Sequence, residues 1–223
     1  MREYILEKTK NTTRHFKFGG IDVHIDTPLP DSISLETVLK IVEKKLPLVY
    51  YQDIEAVRVG AYKEFDERQI NALYRDGTLY ISNEQDDVND LLDDIVHEIA
   101  HHLETKAYEQ IYGDRLVIRE FIKKREQLKF ELTSEGYWTK EYDFKELKFV
   151  DSFDFFLYNR VGKKMLSMVT TGIFIRPYGA VSLREYFATG FEAYYLGKRD
   201  ELFSISPELY DKIDKLHKLA LNR

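Results

Sequence analysis

The stretch Ile95-Val96-His97-Glu98-Ile99-Ala100-His101 sets two imidazoles four residues apart, with a carboxylate directly after the first. On an α-helix, residues four apart face the same way, so His97 and His101 can offer ring nitrogens to one metal ion. Glu98 lies roughly 100° round the helix from His97 at about 3.6 residues per turn. From that direction its carboxylate can reach a water on the metal without ligating the metal itself. Neutral imidazole suits Zn2+, and a zinc site with an open position lowers the pKa of its water towards neutrality. A neighbouring carboxylate takes the proton as that water attacks a carbonyl. The chemistry implied is metal-assisted hydrolysis with Zn2+ as cofactor.

A catalytic zinc site takes three protein ligands, so the two histidines need a partner. Glu104 stands three residues beyond His101, although the run His101-His102-Leu103-Glu104-Thr105-Lys106-Ala107 lacks the glycine and third histidine of metzincins. Glu185 sits on the first turn of the later helical segment Leu183-Arg184-Glu185-Tyr186-Phe187-Ala188-Thr189-Gly190-Phe191, and small Ala188 and Thr189 let this second helix pack closely beside the motif helix. Ser182-x-x-Glu185 is also a capping-box sequence, so ligand and cap stand as alternatives for Glu185. His102 is rotated about 140° from His97 and about 100° from His101, and reads as a surface or supporting residue. His15, His24 and His217 have no partner at ligand spacing and receive no role.

The elements that must position these groups follow from local signals. His15 to Ile25 alternates polar and apolar residues around Gly19-Gly20, as a β-hairpin does. Ser34 caps a helix from Leu35 to about Leu46, with Leu35, Val38, Leu39 and Val42 on its inner face. Ile54 to Val59 reads as a strand, and Asn71 to Ser82 as a second hairpin around Asp76-Gly77. Asp86 and Asp87 open the motif helix, which should run to about Glu104 and bury Leu91, Leu92, Ile95, Ile99 and Leu103. Residues 114–133 and 144–168 read as helices. Glu120, Lys123, Lys124, Arg125, Glu126 and Lys129 are expected to form a solvated face, and the run Phe153 to Tyr158 to be core. Ser182 caps a helix that Gly197 ends, and Ser206-Pro207 opens the last.

Composition bounds the rest. The 223 residues are 43% hydrophobic, which is enough to build a core and excludes wholesale disorder. A net charge of −6 argues against a protein made to coat nucleic acid or an anionic membrane. There is no cysteine, so disulfides, thiol catalysis and cysteine zinc fingers are excluded. The longest charge-free stretch, Met165 to Ile175, is far too short to span a bilayer. Met1 to Lys8 shows no apolar signal region, so the expected site of synthesis and residence is the cytoplasm, with non-classical delivery as the other route.

The pairing of His97-Glu98-Ile99-Ala100-His101 with Tyr178 and Glu185-Tyr186-Phe187-Ala188 resembles the lethal-factor-like gluzincins, the group of the anthrax lethal factor catalytic domain and the clostridial Pro-Pro endopeptidases. The resemblance covers roughly residues 79–106 and 177–219. It implies Glu185 as third zinc ligand, with His97 and His101, Glu98 as general base and Tyr178 as donor to the oxyanion. His101 and Glu185 stand 84 positions apart, further than in those relatives, which implies a helical insertion over about 107–170. The fold implied is a single α+β zincin-like domain over 1–223: a small twisted sheet with the motif helix over 1–106, the insertion, and C-terminal helices over 171–223. The strand Thr78 to Ser82 would be the sheet edge that pairs with an extended peptide. The activity implied is zinc-dependent endopeptidase, on a peptide or protein substrate and with no nucleic acid or membrane partner. The alternatives are an inactive or structural zincin-fold protein that binds a partner, and a regulatory protease specific for one intracellular protein.

Overall fold

Glycine and aspartate at the tips of two apolar-alternating runs bend them into hairpins, and the rest of the first half is built on these. The computed structural model describes residues 14–68 and 70–222. Strands β1 (Arg14–Phe18) and β2 (Ile21–Ile25) pair antiparallel across Gly19 and Gly20, whose φ angles of 54° and 92° suit glycine. Helix α1 (Leu35–Lys45) starts where the Ser34 hydroxyl accepts the Thr37 N–H at 3.3 Å, and it buries Leu35, Val38, Leu39 and Val42 as expected. Then come β3 (Ala56–Gly60), α2 (Lys63–Arg68), β4 (Ala72–Arg75), β5 (Thr78–Ser82) and α3 (Val88–Tyr112). Met1 to Lys8, whose sequence shows no apolar signal region, lie outside the described residues.

The five strands form one open mixed sheet in the order β1-β2-β3-β5-β4, parallel at β2/β3 and β3/β5 and antiparallel at its two hairpins. This corrects the expected edge. Thr78–Ser82 is interior, because β3 takes one side of it and the tight Asp76-Gly77 turn folds β4 back along the other. The edge is β4. With 59% helix and 12% strand, the strands gathered in one small open mixed sheet, the class is mixed α+β.

The chain divides into two compact units, Met1–Leu103 and Glu104–Arg223. The second holds the last turns of α3, which follow a kink at Ala107 (φ −113°, ψ 22°), so the unbroken motif helix ends close to Glu104, as expected. It continues with α4 (Leu116–Ser134), α5 (Asp151–Phe155), a π-helical turn at Phe156–Gly162, α6 (Lys163–Thr170), α7 (Leu183–Tyr195), α8 (Arg199–Ile205) and α9 (Pro207–Leu221). Residues 144–150 are not helical, contrary to the pattern reading. There the Asp143 and Glu146 carboxylates accept the N–H groups of Lys145 (2.8 Å) and Lys148 (2.9 Å), bonds that compete with a helix. Phe153, Phe156 and Leu157 are core, whereas Phe155 is 53% exposed.

Nor is α4's charged row uniformly solvated. Arg125 is 1% exposed and donates to the carbonyls of Ala180 (2.9 Å), Val181 (3.1 Å) and Asp143 (3.1 Å), with the Phe153 ring 4.0 Å from its guanidinium carbon. Lys124 is buried and donates to the Ile173 and Ile205 carbonyls at 2.7 and 2.6 Å. The Glu120 carboxylate accepts the N–H groups of Glu208 (2.9 Å) and Leu209 (3.1 Å), so it caps α9, where the Ser206 side chain forms no capping bond. Buried carbonyls and helix-end N–H groups needed partners, and the long polar side chains of α4 supply them. Among the described residues no helix is long and apolar enough to cross a membrane.

Candidate metal centre

Helix α3 buries Leu91, Leu92, Ile95, Ile99 and Leu103, and also Val96 and Ala100, so the chemistry-bearing residues emerge from a helix sunk into its unit. His101 and Glu98 are themselves buried, and His97 is half-buried. The His97 and His101 rings lie 4.6 Å apart between centroids and nearly perpendicular, at 89°. One ligand atom from each of His97, Glu98 and His101 lies within 4.8 Å of the other two, and among the described residues no other such group of histidines and acids converges. The two imidazoles are donors that fit a divalent cation such as zinc, with the Glu98 carboxylate beside them.

The surroundings fix this trio. Glu98 Oε2 accepts the Tyr74 N–H at 2.6 Å, so one carboxylate oxygen is held on strand β4. Asp94, one turn before the motif, has its carboxyl pushed up to about 7, chiefly by burial, while a 3.2 Å hydrogen bond from the Gln85 amide works the other way. His102 is 2% exposed and meets the Tyr74 ring at 5.0 Å and 75°, which excludes the surface reading and leaves the supporting one. Tyr74, Asp94 and Gln85 escaped sequence reasoning. Asp94 alone carried a signal, three residues before His97 on the same helix face.

The remaining candidates lie in the second unit. Glu104 is buried and committed: its Oε1 accepts the Tyr112 hydroxyl at 2.6 Å and Arg184 Nε lies 3.9 Å from its Oε2. Glu185 is buried on the first turn of α7, where the Ser182 hydroxyl accepts its N–H at 3.2 Å. That capping bond engages the backbone of Glu185, not its carboxylate. Tyr178 sits in a 3-10 turn at Pro177–Ala180, half-buried, its ring 6.3 Å from that of Tyr158 on the π-helical turn. The Glu185 charge reaches this neighbourhood. It helps burial to raise the Asp154 carboxyl and, with Asp154, the Tyr158 hydroxyl. The other histidines have structural partners, His15 with Asp22 at 2.9 Å and His217 with the Tyr195 hydroxyl at 3.0 Å.

No protein-family model matches the chain, and no curated protein or solved structure matches it.

Proposed function

We propose that this chain is a zinc-dependent endopeptidase with a zincin-like fold. The observation that carries the reading is the convergence of one ligand atom each from His97, Glu98 and His101 to within 4.8 Å of one another. A base beside two metal-ligating imidazoles serves hydrolysis, whereas a purely structural zinc site has its positions closed by ligands. In this reading His97, His101 and Glu185 hold the ion and Tyr178 faces the oxyanion, the last two roles being those the gluzincin resemblance implies. Bound zinc would supply an acidified water and a polarised scissile carbonyl.

The residues of the chain then divide the work. Glu98 takes the proton of the attacking water and returns it to the leaving amine. Its bond to the Tyr74 N–H orients the carboxylate beforehand, so little reorganisation is left for the reaction. The Tyr178 hydroxyl donates to the oxygen that gains negative charge. The β4 edge, next to Glu98, is where an extended peptide would add as a further strand.

Metal analysis of protein purified without chelator tests the reading. About one zinc per chain is expected, and His97→Ala or His101→Ala should remove it. Wild-type protein that neither carries nor takes up zinc would exclude this mechanism.

A further inference from the structure

The segment bearing Tyr178 is fastened along α7 at three levels. Glu185, Thr189 and Glu192 stand at i, i+4 and i+7, one stripe of that helix. At the far level, Arg176 Nη1 lies 2.8 Å from Glu192 Oε2, and the Glu192 side chain is only 4% exposed while that of Arg176 is 42% exposed. At the middle level the chain touches the helix so closely that a Cβ on Gly179 would stand 2.7 Å from Thr189 Oγ1. That hydroxyl cannot simply swing away, because it donates to the Glu185 carbonyl at 2.9 Å. At the near level the Ser182 hydroxyl caps the helix at Glu185. Residues 176–182 therefore run back along the stripe, from Glu192 to the turn that carries Glu185. Behind them Arg125 grips the Ala180 and Val181 carbonyls.

The packing at Gly179 and the cap at Ser182 are contacts any tight loop can make. The ion pair is different: it places a buried acid under a half-exposed arginine two residues from Tyr178. A slip of one helical turn would carry that tyrosine about 5.4 Å along the helix. We infer that Arg176 and Glu192 are a positioning pair, whose charge contact sets the register of Tyr178 against Glu185. The inference rests on the peptidase reading for its kinetic consequence but not for its geometry.

Two measurements on the 223-residue chain test it. With zinc content unchanged, Glu192→Gln and Arg176→Gln should each lower kcat by roughly 10- to 100-fold at similar KM, and Arg176→Lys should recover most of that loss. In a Tyr178→Phe background the same changes should cost almost nothing further, since the group they position is gone. Independently of activity, 3-fluorotyrosine placed at position 178 should show a shifted or broadened fluorine resonance in Glu192→Gln. If Glu192→Gln fails to fold, Arg176→Gln, at a half-exposed site, carries the same test. A folded variant with an unmoved resonance, or losses that simply add to that of Tyr178→Phe, would overturn the pair's role. A zinc-loaded wild type without peptidase activity would instead overturn the proposed function, and the resonance would still decide the positioning.

Discussion

Glu98 Oε2 accepts the backbone N–H of Tyr74 at 2.6 Å, which ties the acid of the candidate metal centre to an edge strand of its sheet. The register explains why that N–H is there to be taken. Arg75 and Thr78 close the two-residue turn as a hydrogen-bonded pair, so the next pair, Tyr74 and Leu79, is the kind whose backbone groups point away from each other. Tyr74 thus offers its N–H on the open side of β4, and Glu98 covers part of an edge that would otherwise stand unpaired.

Substitutions at Glu98 should separate basicity from tethering. Glu98→Gln keeps an acceptor for the Tyr74 N–H and removes the base. It should retain zinc and stability while activity falls by about 10²- to 10⁴-fold. Glu98→Ala should lose as much activity and, with the tether gone, about 1 kcal/mol of stability as well. Metal content, turnover and urea unfolding of the two variants check this, and full activity in Glu98→Gln would remove the residue from the mechanism.

Lys124 predicts a pH dependence. Burial, the largest cause, pulls its ammonium down to about 8 from 10.5. Above pH 8 the unfolded chain keeps a proton that the folded chain sheds, so the unfolded state binds more protons and stability must rise with pH. The rise should begin near 8 and end near 10.5, and amounts to roughly 3–4 kcal/mol at about 1.4 kcal/mol per pKa unit. Lys124→Met should lack this component. Denaturant unfolding at intervals across that range, wild type minus variant, measures it, and parallel curves would refute the assignment.

Much of this architecture was legible, because its signals are local. Gly19-Gly20 and Asp76-Gly77 announced both hairpins, Ser34 and Ser182 cap the helices they preceded, and the spacing of His97, Glu98 and His101 within one helix sufficed to bring the trio together. What stayed hidden is non-local. No local pattern tells that β3 inserts beside β5 and leaves β4 as the edge, and Tyr74 meets Glu98 across 24 residues of sequence. The row from Glu120 to Lys129 failed for the same reason. Charge on a helix says solvent until one knows that three carbonyls stand where Arg125 points.

Close packing between α7 and α9 makes Gly190 intolerant. A Cβ there would run into Leu209 Cδ2, with Leu209 Cγ at 3.0 Å and Leu202 Cδ1 at 3.5 Å. Both leucines are fully buried and cannot retreat into solvent. Gly190→Ala should therefore destabilise the protein by about 1–3 kcal/mol, although alanine is the better helix former. Equilibrium unfolding gives the answer, and a stabilised variant would contradict the packing.

The third metal ligand separates Glu185 from Glu104, and their neighbours make the test clean. Glu104 already accepts the Tyr112 hydroxyl at 2.6 Å and stands near Arg184, so Glu104→Gln should leave zinc affinity within about twofold and cost a little stability through the weaker, uncharged hydrogen bond. Glu185 is bonded through its backbone to the Ser182 hydroxyl, which Glu185→Gln preserves. If its carboxylate ligates zinc, that variant should keep helix α7 and lose at least about tenfold in affinity. If Glu185 only completes the cap, zinc affinity should be untouched, and Ser182→Ala should be the costly change, at about 1 kcal/mol. Zinc titration of the two chelator-stripped glutamine variants, with thermal unfolding alongside, distinguishes the cases. Normal affinity in Glu185→Gln with impaired affinity in Glu104→Gln would transfer the ligand role and remove the basis for placing Tyr178 at the oxyanion.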